Sequence, residues 1–287
     1  MPELIDLRRR IKSVRNTQQI TQAMKTVATA KFKKAQQFVL EGRPYWHESP
    51  HLLARVVFWA KKRGHPLLAQ RDEKRVEGVV ISSDKGLAGA FNSNLLSRAH
   101  AFFEEKALDA RVNLVLIGKK AVTFFKKLPF PVDRVHSEQI QKISPEDIKD
   151  LAQFLMRLYV FSQTDAVYVV YNEFKAILSP KISITRLLPI SSPESQTGEE
   201  FPPDWEPGAV ALLEALLPLY VESQIQHFFF ESEAAEHAAR MMAMDNATKN
   251  AEELIGDLTL VMNKIRQASI TKELLEIMTA VEALAKK

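Results

Sequence analysis

The 287-residue sequence contains no cysteine. That excludes disulfides, thiolate catalysis and cysteine zinc sites, and it leaves the compartment open. Glycine is scarce at 9 residues, few for an α/β enzyme of this length and suited to a helix-rich chain. No apolar run reaches the roughly 20 residues that span a bilayer, and Glu3, Asp6 and Arg8 charge the N-terminus at once. The expectation is a chain with neither signal peptide nor transmembrane helix. A phosphate loop is lacking too: no Gly-Lys-Ser/Thr and no G-x-G-x-x-G occurs.

What is present is helical periodicity at both ends. From about Gly208 to Lys287, Met244, Ala247, Ala251, Leu254, Leu258, Val261, Ile265 and Ala268 recur at alternating steps of three and four. That is the spacing of a coiled-coil seam. At 1.5 Å per residue, segment 208–287 makes a rod of roughly 120 Å, too long to stay inside a compact domain of this size. Residues 1–63 read as a second long helix, with Leu4, Leu7, Ile11 and Val14 opening a seam that Met24, Ala28, Phe32, Ala35 and Val39 resume. A polar patch, Asn16 to Gln19 with Thr21 and Gln22, separates the two runs. Pro44 and Pro50 should kink or interrupt this helix, and Gly64 before Pro66 is a stop signal.

Between the helices, residues 75–190 change period. Val76–Ser82, Val112–Ile117 and Val167–Tyr171 are β-branched runs, Val132–Val135 is a weaker one, and Ile182–Thr185 alternates. Helical patterns fall at 93–107, 119–127 and 145–163, the last opened by Ser144-Pro145-Glu146. Strands alternating with helices predict a mainly parallel sheet with right-handed crossovers, its last two strands close enough for a hairpin. Ser191–Gly208 reads as a loop. The predicted fold class is α/β: a long antiparallel coiled coil of the terminal helices with an inserted Rossmann-like domain.

Charge is uneven. Residues 1–40 carry nine basic residues against two acidic ones, a net +7, while the whole chain is only +4. Such a face is either solvated or meets something acidic: nucleic acid, lipid headgroups or an acidic protein loop.

Few residues invite chemistry. His47-Glu48-Ser49-Pro50-His51 has the H-E-x-x-H letters of zinc proteases, but Pro50 sits inside it and no third ligand follows, so no metal site is expected. Ser82 to Asn92 follows the first strand and opens a helix. Its G-x-x-G reads as a tight strand-to-helix turn, capped by Asn92 or Ser93, rather than a phosphate cradle. No carboxylate pair or nucleophile–base constellation is evident, and neither catalytic residue nor cofactor is predicted.

Several ordered stretches resemble the gamma subunit of F-type ATP synthases, and the resemblance covers the whole chain. They are Ile11 to Met24, Arg43-Pro44-Tyr45, Ser83 to Asn92, Tyr220 to Ile225, Ser232 to Met241 and Ala268 to Glu273. The resemblance implies a non-catalytic rotor shaft. Its coiled coil would sit in a head of three catalytic and three non-catalytic nucleotide-binding subunits, coupling ion flow to ATP synthesis or hydrolysis there. Its α/β domain would sit on the epsilon subunit and the membrane rotor ring, at the cytoplasmic face of a bacterial inner membrane. No nucleic acid is implied. Partner contacts carried over residue by residue are Arg8, Arg9 and Lys12 on the basic face, Met24 and Arg240 facing catalytic-subunit loops, and Arg266, Gln267 and Thr271 inside the ring. Leu274, Leu275, Ile277, Met278, Val281 and Leu284 form an apolar tip. Two alternatives remain: a nucleotide-binding enzyme built on the α/β domain, and a coiled-coil protein binding nucleic acid through residues 8–34.

Overall fold

A computed structural model describes residues 2–60, 65–136, 143–175, 180–191, 206 and 208–285. The stop expected at Gly64 and most of the Ser191–Gly208 loop lie outside these. Helix α1 spans Pro2–Trp59 and helix α5 spans Ala209–Ala285. Between them run β1 (Arg75–Ile81), α2 (Phe91–Lys106), β2 (Arg111–Ile117), α3 (Lys119–Phe125), β3 (Val132–His136), α4 (Pro145–Val160), β4 (Ala166–Phe174) and β5 (Pro180–Leu188). The chain divides into two compact units, Met1–Val27 with Met241–Lys287, and Ala28–Arg240.

In the first unit α1 and α5 pair antiparallel. Thr248 Oγ1 lies 2.8 Å from Thr21 Oγ1 and Lys25 Nζ lies 2.6 Å from Asp245, so the contact climbs one helix as it descends the other. Leu4, Met244 and Ala251 are buried, and Leu7, Ile11, Val14, Leu258 and Ile265 half-buried. The seam on α5 differs from the predicted one. Leu254, Val261 and Ala268 are exposed, while Ile255, Met262 and Ser269 are half-buried in their place. Both stripes share Ala251, Leu258 and Ile265. Steps of three and four from these reach either flank, so spacing alone does not choose the side. Carrying the Thr21–Thr248 pairing back to Pro2 at equal rise brings the start of α1 level with roughly residue 267 of α5.

The second unit holds a five-stranded sheet in the order β3-β2-β1-β4-β5. The first four strands pair in parallel and β5 runs antiparallel to β4. This is the predicted alternating pattern with its closing hairpin. Strand alternation sends Val76, Val80, Leu114 and Leu116 to one face, where Leu95, Phe103 and Phe125 of α2 and α3 cover them. Val79, Ile81, Val115 and Ile117 point to the other face. There they meet Leu151, Leu155 and Tyr159 of α4, Leu53 and Val56 of α1, and Leu217, Val221 and Phe228 of α5. Helix α4 begins on a capping box in which Ser144 Oγ accepts the Asp147 N–H and the Asp147 carboxylate accepts the Ser144 N–H.

Two local expectations are corrected. Of the kink or interruption expected at Pro44 and Pro50, the interruption does not occur, since helix α1 runs through both. Each proline forfeits one backbone bond, but flanking side chains hold the segment. Arg43 Nη2 donates to the Phe174 carbonyl at 2.8 Å, and Trp46 stacks on His227 with ring centroids 4.4 Å apart. Second, neither Asn92 nor Ser93 caps α2. The N-cap is Ala90, which makes no side-chain cap bond. Asn92 turns back instead, its Oδ1 accepting the Ser83 N–H at 3.1 Å and its Nδ2 donating to Ser83 Oγ at 2.8 Å.

Candidate partner-contact site

Several polar groups of the Ser82–Asn92 turn are spent on the end of β2 and the start of α3. The buried Ser82 hydroxyl donates to the Ile117 carbonyl at 3.0 Å and accepts the Ala121 N–H at 2.8 Å. Asp84 Oδ1 accepts the Lys119 N–H, the first of α3, at 2.8 Å. Gly118, at φ +87°, lies so close that a Cβ there would stand 2.1 Å from the Ser82 carbonyl oxygen. The sequence motif is thus read as a clasp between the ends of β1 and β2.

Arg240 reaches the same turn. Its Nη2 donates to Glu236 Oε1 at 2.6 Å and stands 3.5 Å from the Gly86 carbonyl, and its Nη1 lies 3.3 Å from His237 Nδ1. All three side chains are buried. Burial, against the pull of Arg240, holds the Glu236 carboxyl above the usual carboxylate range. Burial and then the Arg240 and Lys31 charges press the His237 imidazole down to about 4. Sequence reasoning named Arg240 but missed this cluster, because the spacing of Glu236 and His237 does not show that the Gly86 turn is brought beside Arg240.

The other carried-over residues are placed differently. Arg8, Arg9 and Lys12 are exposed on α1 and Met24 is half-buried. Arg266, Gln267 and Thr271 are exposed on α5, the Thr271 hydroxyl donating to the Gln267 carbonyl one turn back at 3.0 Å. Among and beyond them Ile270, Leu274, Leu275, Ile277, Met278 and Val281 are each at least 50% exposed. The Leu284 side chain lies outside the described residues. His47, Glu48 and His51 are exposed on α1, and among the described residues no three of His, Cys, Asp and Glu converge as metal ligands. No helix among the described residues is long and apolar enough to cross a membrane.

In sequence an α/β domain lies between two helices whose outer parts pair antiparallel, and one of them ends in an exposed apolar stretch. Comparison with known proteins agrees. The family model described as ATP synthase matches residues 3–284. The chain is 44% identical to the ATP synthase gamma chain of Pelotomaculum thermopropionicum over 99% of its own length and all of the relative's. To the gamma chain of Solibacter usitatus it is 44% identical, over 99% of each. Among solved structures, a chain of the Euglena gracilis mitochondrial ATP synthase matches with TM-score 0.67 at 20% identity, covering 99% of this chain and 95% of that one. A central-stalk chain of the Tetrahymena thermophila mitochondrial enzyme matches with TM-score 0.61 at 24% identity, covering 79% and 99%; at these identities the likeness speaks for the fold. The chain belongs to the ATP synthase gamma chain family. Its role is that family's, the central rotor shaft of a rotary ATP synthase, a subunit that is not itself catalytic.

Proposed function

We propose that this shaft turns inside a head of three catalytic and three non-catalytic nucleotide-binding subunits. Its α/β domain rests on an epsilon subunit and the membrane rotor ring, peripheral to the cytoplasmic face of a bacterial inner membrane. Residues 1–63 and 208–287 serve as the coiled-coil part and 75–190 as the globular part. The observation that carries this reading is the uncovered end of α5. A helix whose large apolar side chains from Ile270 to Val281 stand at least half exposed needs a partner to cover it. It lies past the level where α1 begins, so α1 does not cover it. The Euglena and Tetrahymena chains come from ATP synthase assemblies that include a rotor, F1 and a c-ring, which supports the head and ring as partners.

Arg8, Arg9 and Lys12 then meet acidic loops of the catalytic subunits, with Met24 beside them. Arg266, Gln267 and Thr271 make polar contacts that change with rotor angle. Arg240 acts from within, holding the Gly86 turn in the shape a catalytic-subunit loop meets. The test is charge reversal. Arg8→Glu, Arg9→Glu and Lys12→Glu together should weaken assembly of the reconstituted complex, or its ATP turnover, while leaving the free subunit folded. Intact assembly and turnover, with loss of a strong salt-dependent DNA affinity, would favour a nucleic-acid partner and overturn the proposal.

A further inference from the structure

A second site lies on the sheet, away from the clasp. Glu77 sits inside the β-branched run of β1 and is 2% exposed. Its strand partner across the β1–β2 ladder is Asn113. The β2–β3 register shifts between Leu114 and Val115, so that Val132 and Arg134 pair with consecutive residues and Asp133 is the extra residue of a bulge. Bulges re-aim side chains, and here the Asp133 carboxylate receives both Asn113 Nδ2 bonds, at 2.9 and 3.0 Å. Asn113 thus turns its Nδ2 to Asp133, and its Oδ1 has no hydrogen-bond partner; nor has Glu77 Oε1. The three side chains line one cavity of about 190 Å³, closed on another side by Leu158 and Gln163 at the C-terminal end of α4.

We propose that the Glu77–Asn113–Asp133 cavity binds a hard divalent cation of the calcium and magnesium class. The donor set is all oxygen, two carboxylates and an amide carbonyl, which suits those ions and not thiophilic ones. Two carboxylates facing one cavity repel unless a proton or a cation lies between them. The negative end of the α4 dipole at the cavity wall favours a cation as well. Two arginines, Arg75 and Arg111, also line the cavity, and neither is paired with Glu77 or Asp133 there. The Arg75 guanidinium is bidentate to Asp165 at 2.7 and 3.1 Å, and Arg134 pairs with Asp150. Arg111 stands exposed at the rim, where its charge weakens the site. Two carboxylates and a positive rim place the affinity at about 10⁻⁴–10⁻³ M, the range of weak calcium modules.

The experiment titrates the full chain with Mn²⁺ at pH 8.5, reading free ion by electron paramagnetic resonance, with Ca²⁺ and Mg²⁺ as competitors. Saturable binding of about one Mn²⁺ per chain in that range is expected, and the better competitor identifies the class member. Glu77→Gln and Asp133→Asn should each weaken binding by about tenfold or more, the loss of one carboxylate ligand. Asp133 is exposed, so its variant keeps the fold and carries the test even if Glu77→Gln does not. Absence of saturable binding in this range, or binding unchanged in Asp133→Asn, overturns the proposal and leaves Glu77 sharing only a proton with Asp133.

Discussion

Thr248 Oγ1 donates to Thr21 Oγ1 across 2.8 Å, and Thr21 Oγ1 donates onward to the Gln18 carbonyl at 3.0 Å. This hydroxyl pair lies in the helical seam, where Thr21 is 8% exposed. A polar pair at a seam position fixes register more than it adds stability. Thr248 also lies 2.8 Å from the Met244 carbonyl, so it has a second acceptor when Thr21 is lost. Thr21→Val should therefore cost only about 0.5–1.5 kcal/mol. The double variant Thr21→Val with Thr248→Val should come close to neutral, since both polar partners leave together. Thermal unfolding of the full chain, set out as a double-mutant cycle, measures the coupling. Additive losses would show that the two hydroxyls do not act as a pair.

His237 sets a pH limit. Its folded value of about 4 lies below the 6.5 of the free side chain. The neutral form is the one the fold holds, so its contribution is present above pH 6.5 and is lost as pH falls toward 4. The full contribution is roughly 3 kcal/mol, at about 1.4 kcal/mol per pH unit. The facing groups are Arg240 at Nδ1, Glu233 at 3.8 Å from Nε2, Glu236 on the same helix and Lys31 from α1. Glu233 and Glu236 are held above their usual range by burial, and their stabilising part has the opposite slope. Comparing wild type with His237→Gln isolates the histidine. The variant should melt with a flatter dependence between pH 6.5 and 4, and an unchanged dependence would refute the assignment.

Gly118 and Gly256 should respond oppositely to alanine. At Gly118, φ +87° and a Cβ 2.1 Å from the Ser82 carbonyl oxygen make the strain unavoidable, because the obstacle is backbone. Gly118→Ala should lose about 2 kcal/mol or more. At Gly256 on α5 an added Cβ meets nothing within 4 Å, and alanine removes the entropy that glycine loses in a helix. Gly256→Ala should gain about 0.5–1 kcal/mol. Chemical denaturation of both variants checks the pair.

The elements were legible where local preference and tertiary packing agree. Val79, Ile81, Val115 and Ile117 announce strands because they are β-branched or apolar and buried. Where tertiary contacts override local rules, sequence reading failed. Pro44 and Pro50 forecast a kink or an interruption in α1, and the helix is uninterrupted; Arg43 on the Phe174 carbonyl and Trp46 on His227 depend on residues over a hundred positions away. The side on which α5 buries its seam depends on the approach of α1, not on spacing. Glu77 gave a visible signal, a carboxylate within Arg75-Val76-Glu77-Gly78-Val79-Val80-Ile81, yet its meaning needed the bulge that brings Asp133 beside it. The partner-contact residues were named from resemblance alone. Exposure agrees with a surface role for Arg8, Arg9, Lys12, Arg266, Gln267 and Thr271, and Arg240 is buried because the Gly86 turn folds against it.

Gln267 and Thr271 give the sharpest functional test. They lie four residues apart on α5, on one face, and the Thr271 hydroxyl already bonds the Gln267 carbonyl within the helix. Both side chains are exposed, so neither supports the fold of the free subunit. Substituting them should shift its stability by no more than about 0.5 kcal/mol. In the assembled enzyme the expectation differs. A polar contact formed at one rotor angle and broken at another supplies an angle-dependent energy, and only such a difference between states can drive a transition. Gln267→Leu and Thr271→Val remove that difference while keeping the helix and nearly the same volume. Each should leave thermal melting of the free subunit unchanged and lower the ATP turnover of the reconstituted complex. A net bond worth about 0.5–1.5 kcal/mol corresponds to a two- to tenfold loss if it acts at the limiting step. Normal turnover per assembled complex, together with a lowered melting temperature of the free chain, would make these residues structural and remove them from the contact site.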